Sequence, residues 1–445
     1  GSHTATGQKN LQHPPGFNKG GHMNWDEPKT IYVAVALGLV TLRYLFELWL
    51  DHLNTRHVKK HANAIPEPFK EIMDEQTYQK SVRYTLAKAR FSTMSDTYST
   101  VLVIGLLFFG TIAIVFNSIS TSLGESHFAQ ATTLWAVLWL FSLLALPFSW
   151  YSQFKLEDRF GFNTSTQKTW WGDQAKGLML SFIIGVPLLW LILWLTENGG
   201  EYWWLWVWGV IVAFQLLMSV LAPIFILPLF NKFTPLPDGE LKDRLNRLAE
   251  RTGFINAGIQ VMDGSRRSKH SNAFFTGLGK GRKIALFDTL IEQLDDKELE
   301  AVLAHEIGHF KLRHVPKMIM RSFITTLVGL YLLNLLAQQP AFVEAFGFTE
   351  GYAPAFLVFS LLAGTVTFWL TPISSLWSRK YEFQADAFAA NAIGTSQPMI
   401  TALRKLNREN LSNLTPHPLY SGFHYDHPTL LERETALGAQ ETGNG

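Results

Sequence analysis

The chain has 445 residues, of which 47% are hydrophobic and only 17% charged, against about 25% charged in ordinary soluble domains. A mean hydropathy of +0.09 over this length excludes disorder and points to an integral membrane protein. A formal net charge of +2 gives no basic field for nucleic acid, and zero cysteines exclude a disulfide scaffold, a thiolate metal site and a cysteine nucleophile.

In chain order, residues 1–22 are a polar, Gly/His/Pro-rich run that reads as an expression-tag remnant before a native start at Met23. Seven apolar runs then reach the length of about 20 residues that a membrane-crossing helix needs. They are Ile31–Leu50, Val101–Ile119, Ala131–Tyr151, Gly177–Thr196, Trp203–Phe230, Met318–Ala337 and Pro354–Trp377. Spans one to five make an N-terminal membrane region over 23–230, and spans six and seven a second over 318–377. Span one carries Arg43 and Glu47 four residues apart on one helix face, either as a structural ion pair or as the lining of a wet cavity. Tryptophans 203, 204, 206 and 208 read as a headgroup-level belt at the outer start of span five.

Loop charge predicts the orientation. Lys and Arg number 8 in 51–99, 4 in 152–176 and 15 in 231–317, with none in 120–130, 197–202 and 338–353. Basic connections stay inside, so the N-terminus is expected outside and the C-terminus inside. Two stretches, 231–317 and 378–445, are then cytosolic.

The first of these reads as a small α+β region. A helix is expected over Glu240 to Thr252, short strands over 258–263, 272–276 and 283–286, and a second helix over Leu299 to Arg313, with Asp295 and Asp296 at its start. That second helix contains Ala304-His305-Glu306-Ile307-Gly308-His309. Residues four apart share a helix face, so both imidazoles can reach one metal ion with the glutamate beside them. At this chain's His and Glu frequencies the pattern arises by chance only about 0.02 times, which favours a metal site. A zinc ion there would lower the pKa of a water to about 7, and Glu306 would take its proton.

A third ligand is needed. Glu344 and Glu350 fall in an outer loop across the membrane, and Glu382 is the next carboxylate on the inner side. Elimination selects it, giving two histidines, one glutamate and room for water, a hydrolytic arrangement. Asp386, one turn further, is placed to accept the other ring N–H of a ligating histidine. His314 is displaced by one residue from the third-histidine position of a longer zinc motif and is expected to face solvent or lipid headgroups.

Several runs together make a resemblance. Leu229-Phe-Asn-Lys-Phe-Thr-Pro-Leu, Ser268-Lys-His-Ser-Asn-Ala-Phe-Phe-Thr-Gly, Ala285-Leu-Phe-Asp-Thr-Leu, the His305–His309 motif and Tyr381-Glu-Phe-Gln-Ala-Asp closely resemble the type I CAAX prenyl proteases. So do Ala89-Arg-Phe-Ser-Thr-Met-Ser-Asp, Phe160-Gly-Phe-Asn and His427-Pro-Thr-Leu-Leu-Glu-Arg433, so the similarity covers nearly the whole native chain. These are integral-membrane zinc metalloendopeptidases of the kind that mature a yeast mating factor and lamin precursors. The resemblance implies an all-α membrane protein whose seven transmembrane helices enclose a water-filled chamber, with a small α+β gluzincin-like metalloprotease region on the cytosolic side. It implies one Zn2+ per chain on His305, His309 and Glu382, with Glu306 as general base and Asp386 behind a ligand. It also matches Asn272 and Arg433 to residues near the substrate and His427 to a catalytic residue, with His424 a weaker alternative. The expected partners are a lipidated or membrane-associated peptide or protein and the bilayer, with no nucleic acid. The expected location is the endoplasmic reticulum in a eukaryote or the inner membrane in a bacterium. Cleavage of C-terminal prenylated CAAX peptides is the leading expectation. A broad membrane quality-control protease, or a seven-span transporter or receptor with an accidental motif, are the alternatives.

Overall fold

The computed structural model describes residues 27–254, 258–276 and 283–443; the tag remnant and the start at Met23 lie outside them. Among the described residues, seven helices are long and apolar enough to cross a membrane: Pro28–Lys60, Glu75–Phe108, His127–Phe160, Gln167–Asn198, Gly200–Phe230, His314–Ala337 and Tyr352–Ile393. The first has 33 residues; at 1.5 Å per residue it is ~50 Å long, well beyond a hydrocarbon core of about 30 Å. Its outer face shows why a bilayer is needed. Ile31, Val35, Leu42, Leu45 and Trp49, spaced three, four or seven residues apart, share one helix face and are all exposed, while Val33, Ala36 and Val40 turn inward and are buried.

One span is corrected. The apolar run Val101–Ile119 is not one helix: the second span ends at Phe108, and Thr111–Leu123 is a separate short helix. Gly110 stands between them at φ +69, a left-handed conformation that glycine adopts without a Cβ clash and that ends helices. Hydropathy runs straight through such a break. The second span begins instead at Glu75, and Thr85, Lys88, Ser92, Ser95 and Ser99 give it a polar face that lines a cavity of about 1050 Å³. The tryptophan belt is also partly corrected: Trp206 is exposed, but Trp203 is buried edge-on against Tyr352 and Phe356.

The polar region after span five follows its expected elements closely. Among the described residues a four-stranded sheet has the order β1-β2-β4-β3, with β1 Phe233–Pro235, β2 Ile259–Met262, β3 Ala273–Thr276 and β4 Lys283–Phe287. β2 and β4 are parallel, and β3 runs antiparallel to β4 as an edge strand. Strand β1, which the sequence reading lacked, ends in Pro235 at the opposite edge, where a missing N–H is tolerated. The helix Glu240–Arg251 covers the sheet.

The motif helix, Asp296–Lys311, starts at an Asp295 cap whose carboxylate accepts from the Lys297 and Glu298 N–H groups, while the Glu298 carboxylate accepts from the Asp295 N–H. Such a reciprocal cap anchors a helix end firmly. One core joins Leu245, Leu248, Ile284 and Leu286 to Leu303 and Ile307 of the motif helix, to Ala389 in the last turns of the seventh helix and to Ala402 beyond it. The two polar stretches separated by spans six and seven therefore pack as one body around the motif.

Candidate active site

The site forms where the motif helix meets the cytosol-side extension expected of span seven, and a glycine permits the contact. A Cβ on Gly308 would lie 3.1 Å from Ala385 Cα and 3.1 Å from Phe388 Cβ, so only hydrogen fits there without a shift. This close approach brings Glu382 and Asp386 over His305 and His309.

Three ligand-bearing side chains converge. His305 Nε2 and His309 Nε2 are 3.1 Å apart, His305 Nε2 lies 3.4 Å from Glu382 Oε2, and His309 Nε2 lies 3.2 Å from Glu382 Oε1. A tetrahedral zinc with bonds of 2.0–2.1 Å has ligand–ligand edges of about 3.3–3.4 Å, close to these separations, in which each imidazole faces a different oxygen of the one carboxylate. The protonation pattern points the same way. His305 donates from Nδ1 to Asp386 Oδ1 at 2.8 Å, so in the neutral ring its Nε2 presents a lone pair toward a buried carboxylate oxygen, Glu382 Oε2, that has no hydrogen-bond partner among the described residues. Two facing electron-rich atoms in a buried site call for a cation between them, and the donor set fits one.

The surroundings orient the ligands. Asp386, 1% exposed, accepts a bidentate pair from Arg433, Nε at 2.7 Å and Nη2 at 2.6 Å, while bonding His305. Arg433 Nη1 also stands 3.6 Å from Glu382 Oε2. Burial lowers the His305 pKa, but the bond to Asp386 and the carboxylate of Glu382 beside it, which favour a protonated ring, reverse this and hold it up at about 9 in the metal-free protein. Burial pushes the Glu306 carboxyl above its ordinary range, with His305 and His309 opposing. A base raised in this way lies nearer to working pH.

Sequence and structural comparisons agree with this chemistry. A family model described as the CAAX prenyl protease N-terminal region with five membrane helices matches residues 54–232, and that of peptidase family M48 matches residues 235–441. CAAX prenyl protease 1 of Saccharomyces cerevisiae is 35% identical over 93% of this chain and 96% of its own length. The chain belongs to peptidase family M48. The human CAAX prenyl protease 1 homolog is 32% identical over 93% of this chain and 97% of its own. The crystal structure of S. mikatae Ste24p superposes with a TM-score of 0.86 at 34% identity, covering 91% of this chain and 99% of that one. This M48 protein is thus a multi-pass membrane metalloendopeptidase.

Other residues singled out from the sequence fall at different distances from the M48 metal trio. His427 Nε2 is 3.5 Å from Glu382 Oε1, and its Nδ1 bonds Asp426 at 2.9 Å, an interaction that raises its pKa. Its alternative, His424, points elsewhere, 3.4 Å from Glu47 Oε1. Asn272 is exposed at the start of β3, where its side-chain oxygen accepts from the Ala273 N–H, engaging its own strand rather than the trio.

One reading is corrected in part and another is overturned. Arg43 pairs across helices with Asp96 at 2.7 Å, not with Glu47 along its own helix, and it lines a cavity between helices, the second of the two expectations for it. His314 is 0% exposed, not solvent-facing: its Nδ1 shares a hydrogen bond of 3.1 Å with His309 Nδ1, its Nε2 lies 3.0 Å from Gln384 Oε1, and its ring stacks on Tyr381. It orients the second ligand much as Asp386 orients the first. The signal available was a third histidine five residues past the motif, which the turn at Arg313, φ +56, swings back toward the site.

Proposed function

We propose that this enzyme uses Zn2+ held by His305, His309 and Glu382 to hydrolyse C-terminal CAAX-type peptides of prenylated, membrane-associated proteins, with its active site on the cytosolic side. The observation that carries the proposal is the buried His-His-Glu triangle beside Glu306, in a chain whose relatives are named CAAX prenyl proteases. The asymmetry of loop charge supports the cytosolic face.

Zn2+, when bound, supplies a Lewis acid and lowers the pKa of a water to about 7. The chain's own groups do the rest. The open edge of β3 can take an extended substrate by main-chain pairing, since an edge strand presents unpaired N–H and C=O groups. Asn272 is available at the head of that edge to hold the peptide backbone. Glu306 accepts a proton from the attacking water and returns it to the leaving nitrogen. His427, protonated and steadied by Asp426, donates to the developing oxyanion, a role worth about 3–4 kcal/mol in comparable sites. Arg433 and Asp386 hold His305 in one tautomer, and His314 restrains His309.

The test is cleavage of one CAAX peptide, farnesylated and unmodified, followed by mass spectrometry in detergent with Glu306→Ala as blank. Preferential loss of three residues from the lipidated peptide supports the proposal. Equal cutting of both at scattered bonds overturns the prenyl substrate in favour of a broad membrane protease.

A further inference from the structure

The large cavity holds a cation that the chemistry above does not use. Its wall runs from His427 and Arg433, beside the metal trio, to Lys88, Glu157 and His270. Arg433 is occupied by Asp386, and His270 bonds Asn410 at 2.7 Å while facing Glu157 at 3.4 Å. Lys88 differs. Among the described residues no carboxylate oxygen lies within 4.0 Å of its ammonium, whose near neighbour is the Tyr84 ring at 4.5 Å from the centroid.

The support under Lys88 is rigid. Tyr84 is 2% exposed, packed on Phe160 and Phe162, and its hydroxyl donates to both Glu157 oxygens at 2.8 and 3.0 Å. Glu157 is thus engaged by Tyr84 and His270 and is not a close counter-ion for Lys88. The lysine stands on the polar helix face with Ser92, Ser95 and Ser99, all lining the same cavity. The Lys88 ammonium is exposed to the cavity without a direct ion pair and feels only the more distant charge of Glu157, and anion recognition is a function its chemistry allows.

We propose that Lys88 receives the free C-terminal carboxylate of the substrate peptide, so that the enzyme measures its cut from the chain end. This rests on the preceding reading that the substrate is a C-terminal peptide. An α-carboxylate is the anion that every such substrate carries regardless of sequence, and the neighbouring serine hydroxyls can complete its hydrogen bonds. Lys88 is then a specificity-determining residue that acts on the chain end and takes no part in the bond cleavage.

The experiment compares kcat/KM for one farnesylated CAAX peptide made as the free acid and as the C-terminal amide, with wild type, Lys88→Gln and Lys88→Arg. Zinc content and thermal unfolding are measured on each protein. A charge-assisted contact predicts that wild type prefers the acid by about ten- to hundredfold. Lys88→Gln should bring the ratio close to one through loss on the acid, and Lys88→Arg should keep most of the preference. Equal use of acid and amide by wild type overturns this inference and leaves the CAAX reading intact. So does an undiminished ratio in Lys88→Gln, or an equal loss on both peptides in a folded, zinc-loaded variant. Cleavage of neither peptide by wild type overturns the substrate reading and this inference with it.

Discussion

Replacing Asp386 by Asn removes one negative charge from the centre of the orienting network. Asp386 accepts from His305 at 2.8 Å and from two Arg433 nitrogens at 2.7 and 2.6 Å, and both its partners are buried. Two costs follow. The guanidinium keeps only its longer contact to Glu382, and the loss approaches the ~3–5 kcal/mol of a fully broken buried pair. His305 loses the acceptor that fixes its tautomer, which typically weakens metal binding by about 10–100-fold. The two effects separate in a second variant, Asp386→Asn/Arg433→Met, which removes the stranded cation as well. Stability should partly recover there, by non-additivity of contacting residues, while zinc affinity stays low. Zinc affinity is read by competition with a chromophoric chelator, and stability by thermal unfolding in detergent. Zinc binding within about twofold of wild type in Asp386→Asn would refute the orienting role, since even the low end of the expected range is about tenfold.

Further consequences concern pH, packing and the second ligand. Because His305 in the metal-free protein titrates at about 9, zinc must displace its proton. Apparent zinc affinity should therefore fall by about tenfold per pH unit below that value on this group alone, in a chelator competition run from pH 6 to 9. The same raised pKa stabilises the metal-free fold fully below the unfolded value near 6.5, and this contribution is lost as pH rises through about 9. Thermal unfolding of zinc-stripped protein should show that slope, and a flat profile would contradict it. Gly308→Ala should lower stability by about 1–3 kcal/mol and reduce turnover, because its new methyl meets Ala385 and Phe388 at 3.1 Å; unchanged melting and activity would show that the helices separate freely. His314→Leu should weaken zinc binding about tenfold while leaving the fold intact, since it frees the His309 ring.

How much could be read from the sequence depended on how local each signal was. The paired histidines and Glu306 lie within one helical turn, and the Asp295 cap lies just upstream, so spacing alone revealed both. Glu382 was reachable because topology removed its competitors. The second span was misplaced because its polar face lines an internal cavity, which hydropathy scores as surface, and because Gly110 breaks an unbroken apolar run. The Arg43 pairing and the burial of His314 depend on partners 53 and 70 residues away, Asp96 and Gln384. No periodicity within one helix encodes either. Lys88 was hidden for the same reason as its helix: a charge within a span reads as loop until the cavity beside it is seen.

The central claim is that a metal held by His305, His309 and Glu382 works with Glu306 as the base. Zinc stoichiometry and peptide turnover measured on the same preparations of wild type, Glu306→Gln and Glu382→Ala test it most directly. The account predicts one zinc per chain and cleavage for wild type, one zinc and no cleavage for Glu306→Gln, and loss of both for Glu382→Ala. Appreciable cleavage by zinc-loaded Glu306→Gln, or full zinc occupancy in Glu382→Ala, would contradict it.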